Sequence, residues 1–296
     1  MKSILTFALV LSTAMAAVST AALAQSTDNA MLEVADASLR ITPQTLVQGQ
    51  QFLVTFTPAA AESGDLTVHV AGQQLPMTRG VTAYLSYVAL PADQKAGGYT
   101  LQVKSGYRVL ASQKIEVRPG QFGTQNIRYQ RPPVDAALQK KLDAEYALID
   151  QARESYTPEK LWDQPFLVPV PHRISSVYGT RRLLNGKYNG YHGGVDFASP
   201  MGYPVKAPAA GKVVLANYFS AANANGNTVF LDHGMGVTTG YIHLSKINVK
   251  VGDLVERGQT IGLIGSTGRS TGPHLHWGTY IHGQNTDGLG WIRFTR

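Results

Sequence analysis

The sequence contains no cysteine. Disulfide bonds and thiolate metal sites are therefore excluded, and any metal ion must be bound by His, Asp or Glu. Charged residues are also scarce, at 15% of the chain compared with about 25% in an average globular protein. Lys and Arg are scattered rather than clustered, which argues against nucleic-acid binding. The net charge of +7 nevertheless favours an anionic partner such as a cell-wall polymer, a lipopolysaccharide or a membrane surface.

Long apolar runs are confined to the start of the chain. Residues 4–18 form a short apolar stretch after Lys2, and residues 22–24 (ALA) form an A-x-A cleavage signal. This pattern predicts a signal peptide over residues 1–24, secretion across the inner membrane, and a periplasmic or extracellular location. A retained membrane anchor is the weaker alternative because Ser12 and Thr13 interrupt the stretch. After cleavage we expect no stable membrane insertion, and we expect a monomer.

The chain has 30 glycines and 15 prolines, which favours a turn-rich β protein over a helical bundle. Over residues 31–119, short alternating apolar runs are separated by turn-forming residues. They occupy residues 52–56, 66–70, 99–103 and 115–117. This spacing predicts an accessory β-sandwich of the immunoglobulin-like type. The sandwich has no cluster of reactive side chains, so we expect it to have a positioning, binding or masking role rather than a catalytic one.

The residue pattern changes over residues 120–165, which we interpret as a linker. Leu138, Leu142, Tyr146 and Ile149 recur at steps of three and four, which predicts an amphipathic helix between residues 133 and 155. From residue 166 to 296, glycines and β-branched residues dominate, with strand-like runs that predict an antiparallel, all-β catalytic domain. The sequence as a whole is therefore predicted to be mainly β.

Six of the eight histidines lie after residue 190, and three motifs there stand out. The first is residues 191–196 (YHGGVD), which place His192 and Asp196 four residues apart. Two glycines disfavour a helix at this position by about 1 kcal/mol each. An irregular strand or loop that folds the pair around one centre is the better interpretation.

The second motif is residues 273–277 (PHLHW). Side chains two apart in a strand share a face, so His274 and His276 point the same way. The third motif is residues 241–244 (YIHL), where His243 lies on the face opposite Ile242 and Leu244. The three motifs could therefore converge on one histidine cluster.

A metal ion explains such a cluster, because neutral imidazole and carboxylate are good zinc ligands. A catalytic zinc site uses about three protein ligands and leaves one position to water. His192, Asp196 and one of His274 and His276 meet that count, while the other histidine and His243 are left for proton transfer. Spacing alone leaves open which of His274 and His276 is the ligand.

With these motifs the sequence resembles a known family, the lysostaphin-type zinc metallopeptidases, which are peptidoglycan endopeptidases with a compact β-sheet fold. The resemblance covers residues 166–283, about 40% of the chain, in ordered blocks. The blocks are residues 174–181 (ISSVYGTR), 192–196 (HGGVD), 207–214 (APAAGKVV), 231–234 (LDHG), 241–245 (YIHLS), 251–253 (VGD) and 265–277 (GSTGRSTGPHLHW). The tail from residue 285 to 296 lacks the Val-Asp-Pro-like ending of the family.

Carried over position by position, the resemblance implies that His192, Asp196 and His276 bind one zinc ion. It implies that His243 and His274 form the catalytic pair, with His274 as the general base. All five positions are intact. Because some members of the family have lost ligands and activate other wall hydrolases, intact positions favour an enzyme.

Tyr188, Tyr191 and Arg269 are candidates for substrate contacts. Arg269 lies in the loop of residues 265–272, which is interpreted as a wall of the groove rather than a phosphate cradle because no P-loop lysine follows. We assign structural roles to His233 and no site role to His172 and His282.

The sequence therefore predicts a zinc endopeptidase that hydrolyses the peptide crosslinks of peptidoglycan. The alternatives are a wall-binding regulator without hydrolysis and a structural envelope protein. Since all five site positions follow Trp162, a chain starting near that residue is predicted to fold and to be at least as active as the full mature chain, because its loss of the N-terminal region would remove regulation and leave the site intact.

Overall fold

The computed structural model describes residues 37–62, 64–128 and 134–295. The predicted signal peptide, residues 1–24, lies outside the described residues. The described residues belong to one compact unit. Within the described part of the chain, no helix is both long enough and apolar enough to cross a membrane.

The N-terminal region forms two antiparallel-rich sheets, with strand orders β1-β3-β7-β6 and β2-β9-β8-β4-β5. The strands are β1 (Ser38–Thr42), β2 (Leu46–Val47), β3 (Gln51–Thr57), β4 (Leu66–Val70), β5 (Gln73–Pro76), β6 (Thr78–Arg79), β7 (Tyr84–Ala89), β8 (Gly97–Ser105) and β9 (Arg108–Arg118). The four predicted strand runs all lie within these elements.

Alternating side chains of the two sheets build a common core. Phe52, Val54 and Phe56 of β3 are buried in one cluster with Val68 of β4 and Val103 of β8. The alternate residues of β3 lie on its other face, as the period of two requires, and there Leu53 packs against the C-terminal core. Two sheets facing one another across this core form a β-sandwich. Its immunoglobulin-like character stays a prediction.

The connecting region contains strand β10 (Thr124–Ile127) and helix α1 (Ala136–Arg153). The helix begins at Asp135, whose carboxylate accepts a hydrogen bond from the Leu138 amide at 2.8 Å. Its apolar face buries Ile149 against Leu215 and Phe230 of the C-terminal region. The helix is therefore present as predicted, but it is packed against the catalytic region rather than free.

The C-terminal region is built from short strands and one terminal helix. The elements are β11 (Ile174–Ser176), β12 (Arg181–Leu184), β13 (Lys187–Tyr191), β14 (Gly194–Ala198), β15 (Pro204–Lys206), β16 (Gly211–Asn217), β17 (Asn227–Asp232), β18 (Val237–Leu244), β19 (Lys246–Ile247), β20 (Leu254–Val255), β21 (Thr260–Leu263), β22 (His274–Ile281), β23 (Gln284–Thr286) and α2 (Gly288–Phe294). The prediction of a mainly β fold is confirmed.

Three sheets organise this region. The largest has the order β11-β14-β22-β18-β17-β16-β20, with β23 added beside β22. A second sheet has the order β15-β21-β19, and a third joins β10 to the hairpin of β12 and β13. Strand β10 comes from the predicted linker, so this linker contributes directly to the sheet structure of the C-terminal region.

One strand of the sandwich also belongs to the C-terminal core. Val88 of β7 faces the sandwich core, whereas Tyr87 packs in the C-terminal cluster. The Tyr87 ring lies 5.1 Å from that of Trp291 in α2 and 6.0 Å from that of Trp162. The tail that departs from the family pattern therefore forms a helix that ties the two regions together.

Candidate active site

Strand pairing places one carboxylate and one imidazole side by side. In the antiparallel register of β14 and β22, Asp196 lies directly opposite His276. His274 and His276 are partly exposed on one face of β22, whereas Leu275 and Trp277 are buried on the other. This is the alternation that the H-x-H spacing predicts.

His192 reaches the same point from the loop before β14. A Cβ on Gly194 would lie 2.5 Å from the Trp277 carbonyl oxygen and 2.6 Å from Nε2 of His276. Only glycine therefore fits at position 194, where β14 lies against β22. The irregular backbone predicted for the motif is confirmed, since the strand begins only at Gly194.

Three potential ligand atoms converge. Nε2 of His192 lies 3.0 Å from Oδ1 of Asp196 and 3.0 Å from Nδ1 of His276. Nδ1 of His276 lies 2.7 Å from the same carboxylate oxygen. In the described part of the chain, these three residues are the group of His and acidic side chains arranged to hold a metal ion.

The hydrogen bonding of His192 indicates what belongs between these atoms. Its Nδ1 donates to the Val177 carbonyl oxygen at 2.9 Å, so in the neutral ring Nε2 is an unprotonated lone pair. That lone pair faces a carboxylate oxygen, and two electron-rich atoms at this distance need a cation between them. The donor set of two imidazoles and a carboxylate suits zinc.

The charge state of the cluster is consistent with ligation. Burial alone raises the pKa of Asp196, but the contacts with His192 and His276 outweigh it and hold this pKa well below its usual range. Burial lowers the pKa of His276, although Asp196 opposes this effect. A carboxylate and neutral imidazoles are the forms that bind metal ions.

His243 and His274 lie beside this cluster, with ring centroids 4.6 Å apart. Nδ1 of His243 donates to the Thr267 carbonyl oxygen at 2.7 Å, and Nδ1 of His274 donates to that of Gly272 at 2.8 Å. Each neutral ring therefore keeps Nε2 as a proton acceptor. Burial, with the charges of neighbouring histidines, lowers the pKa of His243 to about 4.

The backbone at His243 is strained. Its φ of 65° lies in the left-handed region, which non-glycine residues seldom adopt. The neighbouring loop leaves room for this turn because residue 265 is a glycine. A Cβ at that position would lie 2.4 Å from the His243 carbonyl oxygen. Strain of this kind concentrates at functional sites, and here it directs His243 toward His274.

A cleft of about 280 Å³ opens over the cluster. Its walls include Asp196, His243, His274 and His276 among the predicted site residues. Ser270 and Thr271 belong to the loop interpreted as a wall of the groove, whereas seven other lining residues were not predicted from the sequence: Gln125, Ile127, Arg128, Ser176, Arg182, Leu184 and Asn189. Those from β10 carry no local signal, because a pairing between β10 and β12 is not visible in sequence periodicity.

The three candidate substrate contacts differ in position. Arg269 lines the cleft. Tyr188 is exposed and its ring lies under the Arg181 guanidinium, and Tyr191 packs edge-on against Tyr178. Neither tyrosine is among the residues that line the cleft.

The other histidines have contacts that fit structural roles. His233 is fully buried, with Nδ1 donating to the Ala210 carbonyl at 2.7 Å and Nε2 accepting from the Thr239 hydroxyl at 2.8 Å. His172 lies 2.7 Å from the Ser199 hydroxyl, and His282 packs against Tyr156. None of the three joins the convergent cluster.

Comparison with known proteins assigns this region to a family. Residues 190–288 match Peptidase family M23. The chain is 44% identical over 127 residues to the peptidoglycan DD-endopeptidase ShyA of Vibrio cholerae, which covers 43% of this chain and 29% of that protein. It is 43% identical over 116 residues to the DD-carboxypeptidase/endopeptidase Mpg of Neisseria meningitidis, covering 39% and 24%. The chain thus spans under a third of the length of these relatives.

A solved structure extends the likeness beyond the matched segment. A protein of Pseudomonas aeruginosa, assigned provisionally to peptidase M23, superposes with a TM-score of 0.63 at 29% identity. The superposition covers 83% of this chain and 94% of that one. The resemblance to the lysostaphin-type metallopeptidases is therefore confirmed over residues 190–288, which match peptidase family M23.

Proposed function

We propose that this protein is a zinc-dependent endopeptidase that hydrolyses the peptide crosslinks of bacterial peptidoglycan. The observation that carries the proposal is the convergence of His192, Asp196 and His276 within 3.0 Å of one another. His243 and His274 lie beside this cluster at the base of an open cleft. The relatives named as peptidoglycan DD-endopeptidases support the choice of substrate.

His192, Asp196 and His276 would hold one zinc ion. When bound, zinc would polarise the scissile carbonyl and lower the pKa of water at the site. The Val177 carbonyl fixes the tautomer of His192. Contacts of this kind orient ligands and strengthen binding.

The catalytic pair would move protons. Nε2 of His274 takes the proton of the attacking water, because its Nδ1 proton is retained by the Gly272 carbonyl. His243 is held with its Nε2 as a proton acceptor by the Thr267 carbonyl and would share in the transfer of the proton from the water to the leaving amine. The cleft admits the peptide and brings it against both rings.

The remaining parts of the proposal concern location and organisation. We propose that residues 1–24 are a signal peptide and that the protein acts in the periplasm or outside the cell, where peptidoglycan lies. Residues 31–119 would be an accessory domain, residues 120–165 a linker, and residues 166–296 the peptidase domain. The net charge of +7 favours an anionic wall polymer.

Digestion of purified peptidoglycan, with mass analysis of the fragments, tests the activity. Zinc-loaded protein should convert crosslinked peptide dimers into monomers, and His274→Ala should leave them intact while keeping its zinc. If zinc-loaded protein binds peptidoglycan but leaves the dimers unchanged, the protein is instead a wall-binding regulator.

A further inference from the structure

Three arginines line the cleft beside the proposed metal ligands. Arg182 comes from β12, Arg269 from the loop between β21 and β22, and Arg128 follows β10 directly. Among the described residues that line this cleft, Asp196 is the one acidic side chain, and it is assigned to the metal. The cleft therefore carries an excess of positive charge where the substrate would lie.

Arg182 has an environment that folding alone does not explain. Its guanidinium is mostly buried, and Nη2 lies 3.8 Å from Oδ2 of Asp196, which is beyond hydrogen-bond distance. Within the described ranges, its buried Nε has no hydrogen-bond partner. A buried donor without a partner destabilises the folded state, so Arg182 is poorly explained as a stabilising residue.

A second positive charge lies close to the first. Burial lowers the pKa of Arg182, the charge of Asp196 opposes this effect, and the charge of Arg269 adds to it. Two guanidinium groups at close range repel each other unless an anion lies between them. The pair of arginines therefore has the character of an anion-binding site.

The chemistry of the cleft favours a carboxylate on a peptide. Guanidinium groups bind carboxylates through paired, planar hydrogen bonds. The remaining polar lining consists of amides and hydroxyls, from Gln125, Asn189, Ser270 and Thr271, and these groups suit a peptide backbone. We infer that Arg128, Arg182 and Arg269 bind a free carboxylate of the substrate next to the cleaved bond, so that the enzyme selects acidic peptides.

The inference rests on the proposed function and gives the linker a role in it. Gln125 pairs in register with Arg182 between the parallel strands β10 and β12. Arg128 and Gln125 thus reach the site from a segment that precedes the family match at residue 190. Substrate choice would depend on the linker as well as on the peptidase domain.

The test compares one substrate in two forms: a crosslinked peptide dimer isolated from peptidoglycan, and the same dimer with its free carboxylates converted to carboxamides. The full-length, zinc-loaded protein should hydrolyse the acid form with a kcat/KM at least about 10-fold higher, as expected for charge-assisted hydrogen bonds. In Arg182→Gln this ratio should fall toward one, mainly through KM, with zinc content unchanged.

Arg181→Gln is the matched control. It removes the same charge from the adjacent residue of β12, which points to the opposite face and stacks on Tyr188. It should keep the preference for the acid form. Arg269→Gln is a second cleft variant and should also lower the ratio. It replaces Arg182→Gln in the test if that variant does not fold.

Calorimetric binding to the zinc-loaded His274→Ala protein separates the inference from the proposed function. If the unchanged, zinc-loaded protein hydrolyses neither form, but the acid form binds to His274→Ala at least about 10-fold tighter and a further Arg182→Gln removes that difference, the carboxylate site stands and the peptidase proposal fails. If the dimer is hydrolysed but both forms react equally, the carboxylate site is refuted. Equal loss for both forms in Arg182→Gln, with loss of zinc, would show that Arg182 only orients Asp196.

Discussion

Replacement of Gly194 by alanine tests how strictly strand pairing positions the ligands. The added Cβ would meet the Trp277 carbonyl oxygen at 2.5 Å and Nε2 of His276 at 2.6 Å. Relief requires a shift of β14 against β22, and this pairing places Asp196 opposite His276. We expect Gly194→Ala to lower the free energy of unfolding by about 1–3 kcal/mol, the usual effect of overpacking. Zinc binding should weaken as well, because His276 is displaced.

Urea unfolding of the metal-free protein measures the first effect, and competition for zinc with a chromogenic chelator measures the second. Gly123→Ala is the control, because a Cβ at Gly123 would meet nothing within 4 Å. If Gly194→Ala matches the unchanged protein in both stability and zinc affinity, the ligands are not positioned by this crossing and the reasoning is refuted.

Other predictions follow from individual contacts. His243→Ala and His274→Ala should each keep zinc but lower kcat by about 100-fold or more; loss of zinc in His274→Ala with retention in His276→Ala would exchange their roles. Glu145→Ala should lower the unfolding free energy by about 1–3 kcal/mol, since Glu145 accepts hydrogen bonds from the Ser220 amide, the Ser220 hydroxyl and the Asn223 side chain; unchanged urea unfolding would contradict this. Burial lowers the pKa of His233 to about 4, so below pH 6.5 the unfolded state takes up a proton before the folded state does. The free energy of unfolding should therefore fall by up to about 3 kcal/mol between pH 6.5 and 4. His233→Gln, compared over the same range, should show a smaller fall. A chain starting at Trp162 should unfold more readily than the full chain, because it lacks Tyr87 and α1, which pack against Trp291 and Phe230; equal stability in urea would contradict this.

The local features of the site could be predicted from the sequence. The period of two in a strand placed His274 and His276 on one face, and the glycines after His192 indicated a loop rather than a helix. These inferences need only neighbouring residues. The choice of His276 over His274 as ligand needed the resemblance to the family, and it agrees with the geometry, in which His276 lies opposite Asp196.

Outside the histidine cluster, contacts between distant segments were not predicted. Strand β10 has the sequence TQNI and is mostly exposed, so it lacks the apolar alternation that marks a strand. It forms by pairing with β12, more than 50 residues later. Strand β7 is buried on both faces, one toward each core, and a strand of this kind loses the alternation that reveals half-buried strands. Arg128 and the contacts of Tyr87 therefore became visible only in the structure.

Reconstitution with zinc tests the central claim most directly. Metal-stripped protein is titrated with zinc while the cleavage of peptidoglycan crosslinks is followed, alongside His192→Ala. The account predicts that the rate rises with added zinc and saturates at one zinc per chain, and that His192→Ala gains almost no activity at that ratio. Full activity without zinc, or an unchanged titration curve for His192→Ala, would contradict it.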